Sequence, residues 1–103
     1  MTGNTRPNMN DIREAQQRIA PHIHRTPVMT SASLDEISGA RLFFKCENFQ
    51  RTGSFKMRGA TNAVFSLSDE DAAKGVVTPS SGNHGAALAK ACLLYTSPSP
   101  RDS

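Results

Sequence analysis

Apolar residues recur at helical spacing early in the chain, where Ile12, Ala15 and Ile19 share one face up to Pro21. Asn10 or Asp11 is the expected cap, with Glu14 completing a capping box three residues after Asp11, so a helix is predicted over 11–20. Thr26-Pro27 demands an extended entry, and Val28 to Thr30 reads as a short strand. Ser33-Leu34-Asp35-Glu36 is a second capping box, opening a short helix that Gly39 closes. Arg41 to Glu47 is an apolar, aromatic-rich run and predicts a buried strand, with Phe43 and Phe44 in the core beside Val64. A polar turn over 48–53 follows, and Ser54 is placed to cap a helix over 55–67 with Ala60, Val64 and Leu67 on one face. Gly59 inside that helix costs stability and marks a point of close approach. Val76-Val77-Thr78 is β-branched and predicts another strand, after which the loop from Pro79 to Asn83 opens into a helix from His84. Helices alternating with strands indicate an α/β layer structure with parallel pairing, without internal repeats.

The chain has 103 residues, which allows one small domain of limited net stability. Twelve Lys and Arg against nine Asp and Glu leave a net charge of +3 that gathers into no basic stripe, so nucleic-acid binding is not expected. No apolar run approaches the roughly 20 residues that cross a bilayer, and Arg6, Asp11, Arg13 and Glu14 stand where a signal peptide would be apolar. A soluble, cytoplasmic protein without membrane contact is expected. Cys46 and Cys92 lie far apart with no partner at metal-ligand spacing, so neither a disulfide framework nor a metal site is expected among these residues.

Two segments carry chemistry. In Thr52-Gly53-Ser54-Phe55-Lys56-Met57-Arg58-Gly59-Ala60, a glycine turn after a strand leads to a lysine in the first turn of a helix. The positive end of the helix dipole disfavours a cation there, and partial burial would lower the lysine pKa and make it a nucleophilic amine. The plain alternative is that Lys56 and Arg58 are solvated surface charges. In Ser80-Ser81-Gly82-Asn83-His84-Gly85, backbone amides and hydroxyls converge at a helix start and form a seat for a carboxylate or phosphate. The loop lacks the spacing of dinucleotide and triphosphate motifs. A capped helix behind a Ser-Gly turn is the alternative. His84 is either a general base or a hydrogen-bonded structural residue, while His22 and His24 read as surface residues.

Taken together, Thr26-Pro27-Val28, the run from Phe44 to Ala60 and the run from Ser80 to Gly85, in that order and spacing, closely resemble the N-terminal part of serine racemases and the related serine/threonine dehydratases. These are fold-type II pyridoxal-phosphate enzymes, and the resemblance covers about Asp11 to Ala91. It implies an incomplete tryptophan synthase β-like α/β fold, with a flexible tail over 1–9 and the N-terminal part of a catalytic domain over 10–91. It further implies that Lys56 forms the internal aldimine with pyridoxal 5'-phosphate, that Phe55 and Asn83 contact the cofactor ring, and that Ser80, Ser81, Gly82, Asn83 and His84 grip the carboxylate of a small amino-acid substrate. Elimination of the β-hydroxyl would give a 2-oxo acid and ammonia. Racemisation needs a second acid, and the resemblance puts Ser81 there.

Threonine-type dehydratases more often read Ser-Ala-Gly-Asn-His at this loop, so the hydroxyl of Ser81 leans toward the racemase-like branch, which also holds dehydratases of serine and hydroxyaspartate. That branch implies an allosteric nucleotide site around Ser31 to Ser33, Arg51 and Thr52, from which Ala32 and Arg51 depart. It also implies a homodimer, and a divalent cation held by residues outside this chain. The glycine-rich phosphate loop and the group facing the pyridine nitrogen are absent as well, so the chain by itself is expected to be inactive.

Residues 92–103 do not resemble the family and look like one translated reading frame of a sequencing adaptor, a non-native or disordered tail. A second functional reading is a small non-catalytic protein that binds an anion at the Ser80 to Gly85 loop. Lys56 in its motif discriminates, because a binding module has no use for a lysine at a helix start.

Overall fold

The computed structural model describes residues 6–96. Helix α1 spans Met9–Ile19. Its cap is Asn8, two residues before the expected position: Asn8 Oδ1 accepts from the Asp11 amide at 3.0 Å and Asp11 Oδ2 accepts from the Asn8 amide at 2.8 Å. Asn8 and Asp11 close the capping box themselves, so Glu14 is not used, and Met9 belongs to the helix and not to a tail. A 3-10 turn at Ala20–His22 follows, with Pro21 in its first turn.

Strands β1 (Val28–Met29) and β2 (Phe44–Lys45) pair with Val28 opposite Lys45 and Met29 opposite Phe44. This pair is antiparallel, which corrects the expected parallel arrangement. Parallel pairing needs a further strand, and Val76 to Thr78 forms none among the described residues, with Val77 94% exposed. Between β1 and β2 lies α2 (Ala32–Ser38), capped by the hydroxyl of Ser31, not Ser33, and closed by Gly39 in the left-handed region at φ 72°. Phe43 and Phe44 are not core: they are 63% and 40% exposed, because among the described residues no layer packs over the two-stranded sheet.

A 3-10 turn at Glu47–Phe49 leads to α3 (Lys56–Phe65), then α4 (Asp69–Ala73) and α5 (Asn83–Thr96). The core is the interface of α3 with α5, where Met57, Ala60 and Val64 meet Ala87 and Ala91. Three alanines among these five residues let the helix axes come close. Phe65 and Tyr95, at the C-terminal ends of the two helices, stack edge to face at 5.3 Å. Helices that touch at their C-terminal ends and pack along their length run parallel, so Lys56 and Asn83 open at the same end of the pair. Helix α1 joins from the side through Arg18 Nη1, which donates to Asn62 Oδ1 of α3 at 2.7 Å.

Helix α5 continues unbroken past Ala91 to Thr96, with Cys92, Leu94 and Tyr95 partly buried against the core. The stretch 92–96 is thus helical, while the rest of the adaptor-like segment lies outside the described residues.

These packing differences predict opposite outcomes for two substitutions followed by urea unfolding. Met57→Ala, at a fully buried position, is expected to cost about 2–5 kcal/mol, a large share of a small domain's stability. Phe43→Ser is expected to change stability by no more than about 0.5 kcal/mol.

Candidate functional site

The turn before α3 is shaped by Gly53, whose φ of 81° suits glycine and whose amide donates to the Gln50 carbonyl at 2.9 Å. Ser54 stands one position short of the cap: its Oγ lies 3.4 Å from the Lys56 amide, while Phe55 occupies the cap position with no side-chain cap bond. Lys56 is exposed, so the partial burial expected for it is not met, and its Nζ lies 5.6 Å from the centre of the Phe55 ring, itself 62% exposed. One residue further, Met57 is fully buried.

At the same end of the helix pair, the loop before α5 is organised by Ser80. Its Oγ accepts from the amides of Gly82 and Gly85, each at 3.3 Å. Two of the amides expected to face an anion are therefore already engaged by the loop itself. The hydroxyl of Ser80 retains its own hydrogen for donation, and Ser81, Asn83 and His84 are exposed at the rim. Gly85 lies so close to the Ser80 carbonyl oxygen that a Cβ there would collide with it, so the backbones form a tight cradle only a glycine allows.

The lysine turn is tied to the rest of the chain by a polar knot that sequence reading missed. The Glu47 carboxylate accepts from Arg58 Nε at 2.5 Å and Nη2 at 3.0 Å, and also from the Thr26 hydroxyl. Lys45 Nζ donates to the Thr26 carbonyl at 2.7 Å. Gln50, itself buried, accepts from the His24 amide at 2.7 Å and donates to the His24 carbonyl at 2.9 Å. Arg58 is therefore not the free surface charge that its exposed neighbours suggested. The hydrogen bonds from Arg58 hold the Glu47 carboxyl down to about 2, against the opposing effect of burial.

His22 also departs from the surface reading. Its ring stacks on Phe65 at 3.9 Å, and burial together with the Arg51 charge holds its imidazole below the ordinary value. Arg51 Nε donates to the His22 carbonyl at 2.8 Å. Of the residues tied to a nucleotide site, Ser31 caps α2, Arg51 is engaged with His22, and Thr52 has a buried hydroxyl without a partner among the described residues.

An exposed primary amine and an amide side chain at one end of a helix pair, beside a cradle that admits no Cβ, form a donor set that fits an aldehyde-bearing anionic cofactor. Among the described residues no three His, Cys, Asp or Glu side chains gather to hold a metal ion, and no helix is long and apolar enough to cross a membrane.

The depressed Glu47 carboxyl predicts an acid limb in stability. A carboxyl near 2 when folded and near 4.5 otherwise contributes stability fully present above pH 4.5, and lost as pH falls from there toward 2. Discounted for the 36% exposed Arg58 side chain, the effect is on the order of 1–2 kcal/mol. Unfolding followed by circular dichroism across that window should show the loss in the parent chain and a flatter limb in Glu47→Gln.

Comparison with known proteins gives the family. Residues 19–98 match the family described as pyridoxal-phosphate dependent enzyme. The chain is 60% identical over 86 residues to a serine racemase of Oryza sativa subsp. indica, covering 84% of this chain and 25% of that protein. It is 60% identical over 88 residues to a beta-hydroxyaspartate dehydratase of Paracoccus denitrificans, covering 85% of this chain and 28% of that one. Its fold superposes on maize serine racemase with a TM-score of 0.82 at 60% identity, over 85% of this chain and 28% of the other. The chain spans about a quarter of the length of these relatives and carries the corresponding part of a fold-type II architecture. It belongs to the pyridoxal-phosphate dependent enzymes.

Proposed function

We propose that this chain carries the lysine and the substrate-carboxylate loop of an enzyme acting on hydroxy amino acids, a serine or threonine ammonia-lyase, a serine racemase, or both. The reading rests most on one observation: α3 and α5 run parallel, so the Lys56 amine and the Ser80 to His84 loop open at the same end. Relatives named serine racemase, threonine dehydratase and beta-hydroxyaspartate dehydratase support the substrate class.

Lys56 is the residue that would hold the cofactor through its amine, with Phe55 and the Asn83 side chain against the ring. Pyridoxal phosphate, when bound, supplies a sink for the electron pair left at the substrate Cα. The Lys56 amine would also serve as the general base for the substrate Cα proton. Ser80, through the hydrogen its hydroxyl retains, and the rim residues Ser81, Asn83 and His84 bind the carboxylate through side-chain donors, with the Gly82 amide holding Ser80 Oγ in place. Returning the proton to the other face of Cα needs a second acid, and Ser81 is that group. Any divalent cation, the cofactor's phosphate cup and a homodimer partner surface belong to residues outside this chain. A cytoplasmic location is part of the same reading.

The enzyme that contains this segment should lose both elimination and racemisation, and the absorbance of bound cofactor, in Lys56→Ala. In Ser81→Ala, racemisation of L-serine should fall by about 100-fold or more, with formation of the 2-oxo acid largely retained. Assays of D-serine, pyruvate and ammonia read both reactions. Equal loss of the two in Ser81→Ala would overturn its role, and retention of either in Lys56→Ala would overturn that of the lysine.

A further inference from the structure

Helix α3 starts without a side-chain cap, with Phe55 in the helical region at the cap position. The amides of the turn that presents Lys56 find only local acceptors, two of them distant: Lys56 and Met57 reach Ser54 Oγ and the Ser54 carbonyl at 3.4 and 3.5 Å, and Arg58 the Phe55 carbonyl at 3.1 Å. Two neighbours fix this turn. Met57 is fully buried in the core, and Arg58 is held by two hydrogen bonds to Glu47, 2.5 and 3.0 Å long. Successive side chains on a helix point about 100° apart. Anchoring Met57 and Arg58 at two directions therefore fixes the rotation of the turn, and with it the direction of the exposed Lys56. Glu47 is in turn held by the Thr26 hydroxyl, and its side chain is only 16% exposed against 36% for Arg58. The acid is the fixed end of the clamp and the arginine the end it restrains.

We propose that Glu47 is a positioning residue for Lys56, acting through Arg58 in place of a helix cap. The inference deepens the function proposed above and rests on Lys56 being the cofactor lysine. A carboxylate is required for the role, since Gln offers one acceptor oxygen and no charge to a guanidinium fork that uses two.

The test uses the enzyme that contains this segment, stripped of cofactor and given pyridoxal 5'-phosphate anew, with reduction by borohydride and peptide mass mapping, and Lys56 labelling expressed relative to Lys74, an exposed lysine of the segment after α4. In the parent enzyme Lys56 is expected to be labelled several-fold faster than Lys74. Glu47→Gln and Arg58→Met should each bring the ratio to near one, with far-ultraviolet circular dichroism unchanged, and Glu47→Asp should restore part of the preference. Thr26→Val, which removes only the outer support of Glu47, should give an intermediate ratio and serves if Glu47→Gln fails to fold. General loosening would raise the labelling of Lys56, Lys74 and Lys90 together and leave no selective loss, which would overturn the positioning role. A preserved preference in folded Glu47→Gln would overturn it as well. No preference for Lys56 in the parent enzyme would instead overturn the reading of Lys56 on which the proposal stands.

Discussion

A single carboxylate, that of Glu47, ties the segment before β1 directly to the first turn of α3. It sits at the start of a 3-10 turn and receives the Arg58 guanidinium from α3 and the Thr26 hydroxyl from the segment before β1. An acid that gives up water this far needs a full set of donors, or it would take up a proton. The donors come from residues 32 positions apart in sequence, Thr26 and Arg58. Satisfying the charge therefore sets the placement of the sheet's first strand against the lysine-bearing helix. Gln50 and Lys45 extend the same arrangement by bonding the backbone on either side of Arg25.

The hydrophobic half of the structure acts in the other direction, bringing the two chemical segments to one place. Alanines at 60, 87 and 91 let α3 and α5 approach, and the Phe65 and Tyr95 rings hold their far ends in register. The openings of both helices then lie at the same end of the pair. Large apolar side chains remain exposed on the sheet (Phe44), on loops (Phe43, Val77), at the start of α3 (Phe55) and on helices (Ile12, Ile37, Leu93). In relatives about three times as long, further chain is available to such surfaces.

The sequence was informative wherever a local rule decided the outcome. Gly39 closes α2 and Val28 starts a strand because backbone geometry and propensity act over a few residues. That Lys56 and the Ser80 to Gly85 loop stand at helix starts was legible from motif alone. Burial was legible for Val64 but not for Phe43 and Phe44, since an aromatic run says that a strand wants cover and not whether a layer lies over it. The caps of α1 and α2 slipped because Asn8 and Ser31 compete with equally good neighbours, while α3 starts one residue late with Phe55 at the cap position. The Glu47 knot was illegible for a different reason: its members are ordinary charged and polar residues at spacings that no periodicity links, and only the fold brings them together.

The most direct test of this account is amide hydrogen exchange in the parent chain and in Glu47→Gln. If the carboxylate organises the lysine turn, exchange should accelerate selectively at the Cys46 amide, which donates to Pro27, and at Gly53 and Arg58 in the turn, while the interior of α5 around Ala87 and Ala91 stays protected. Unchanged exchange at those three amides, or an equal acceleration throughout α3 and α5, would contradict it.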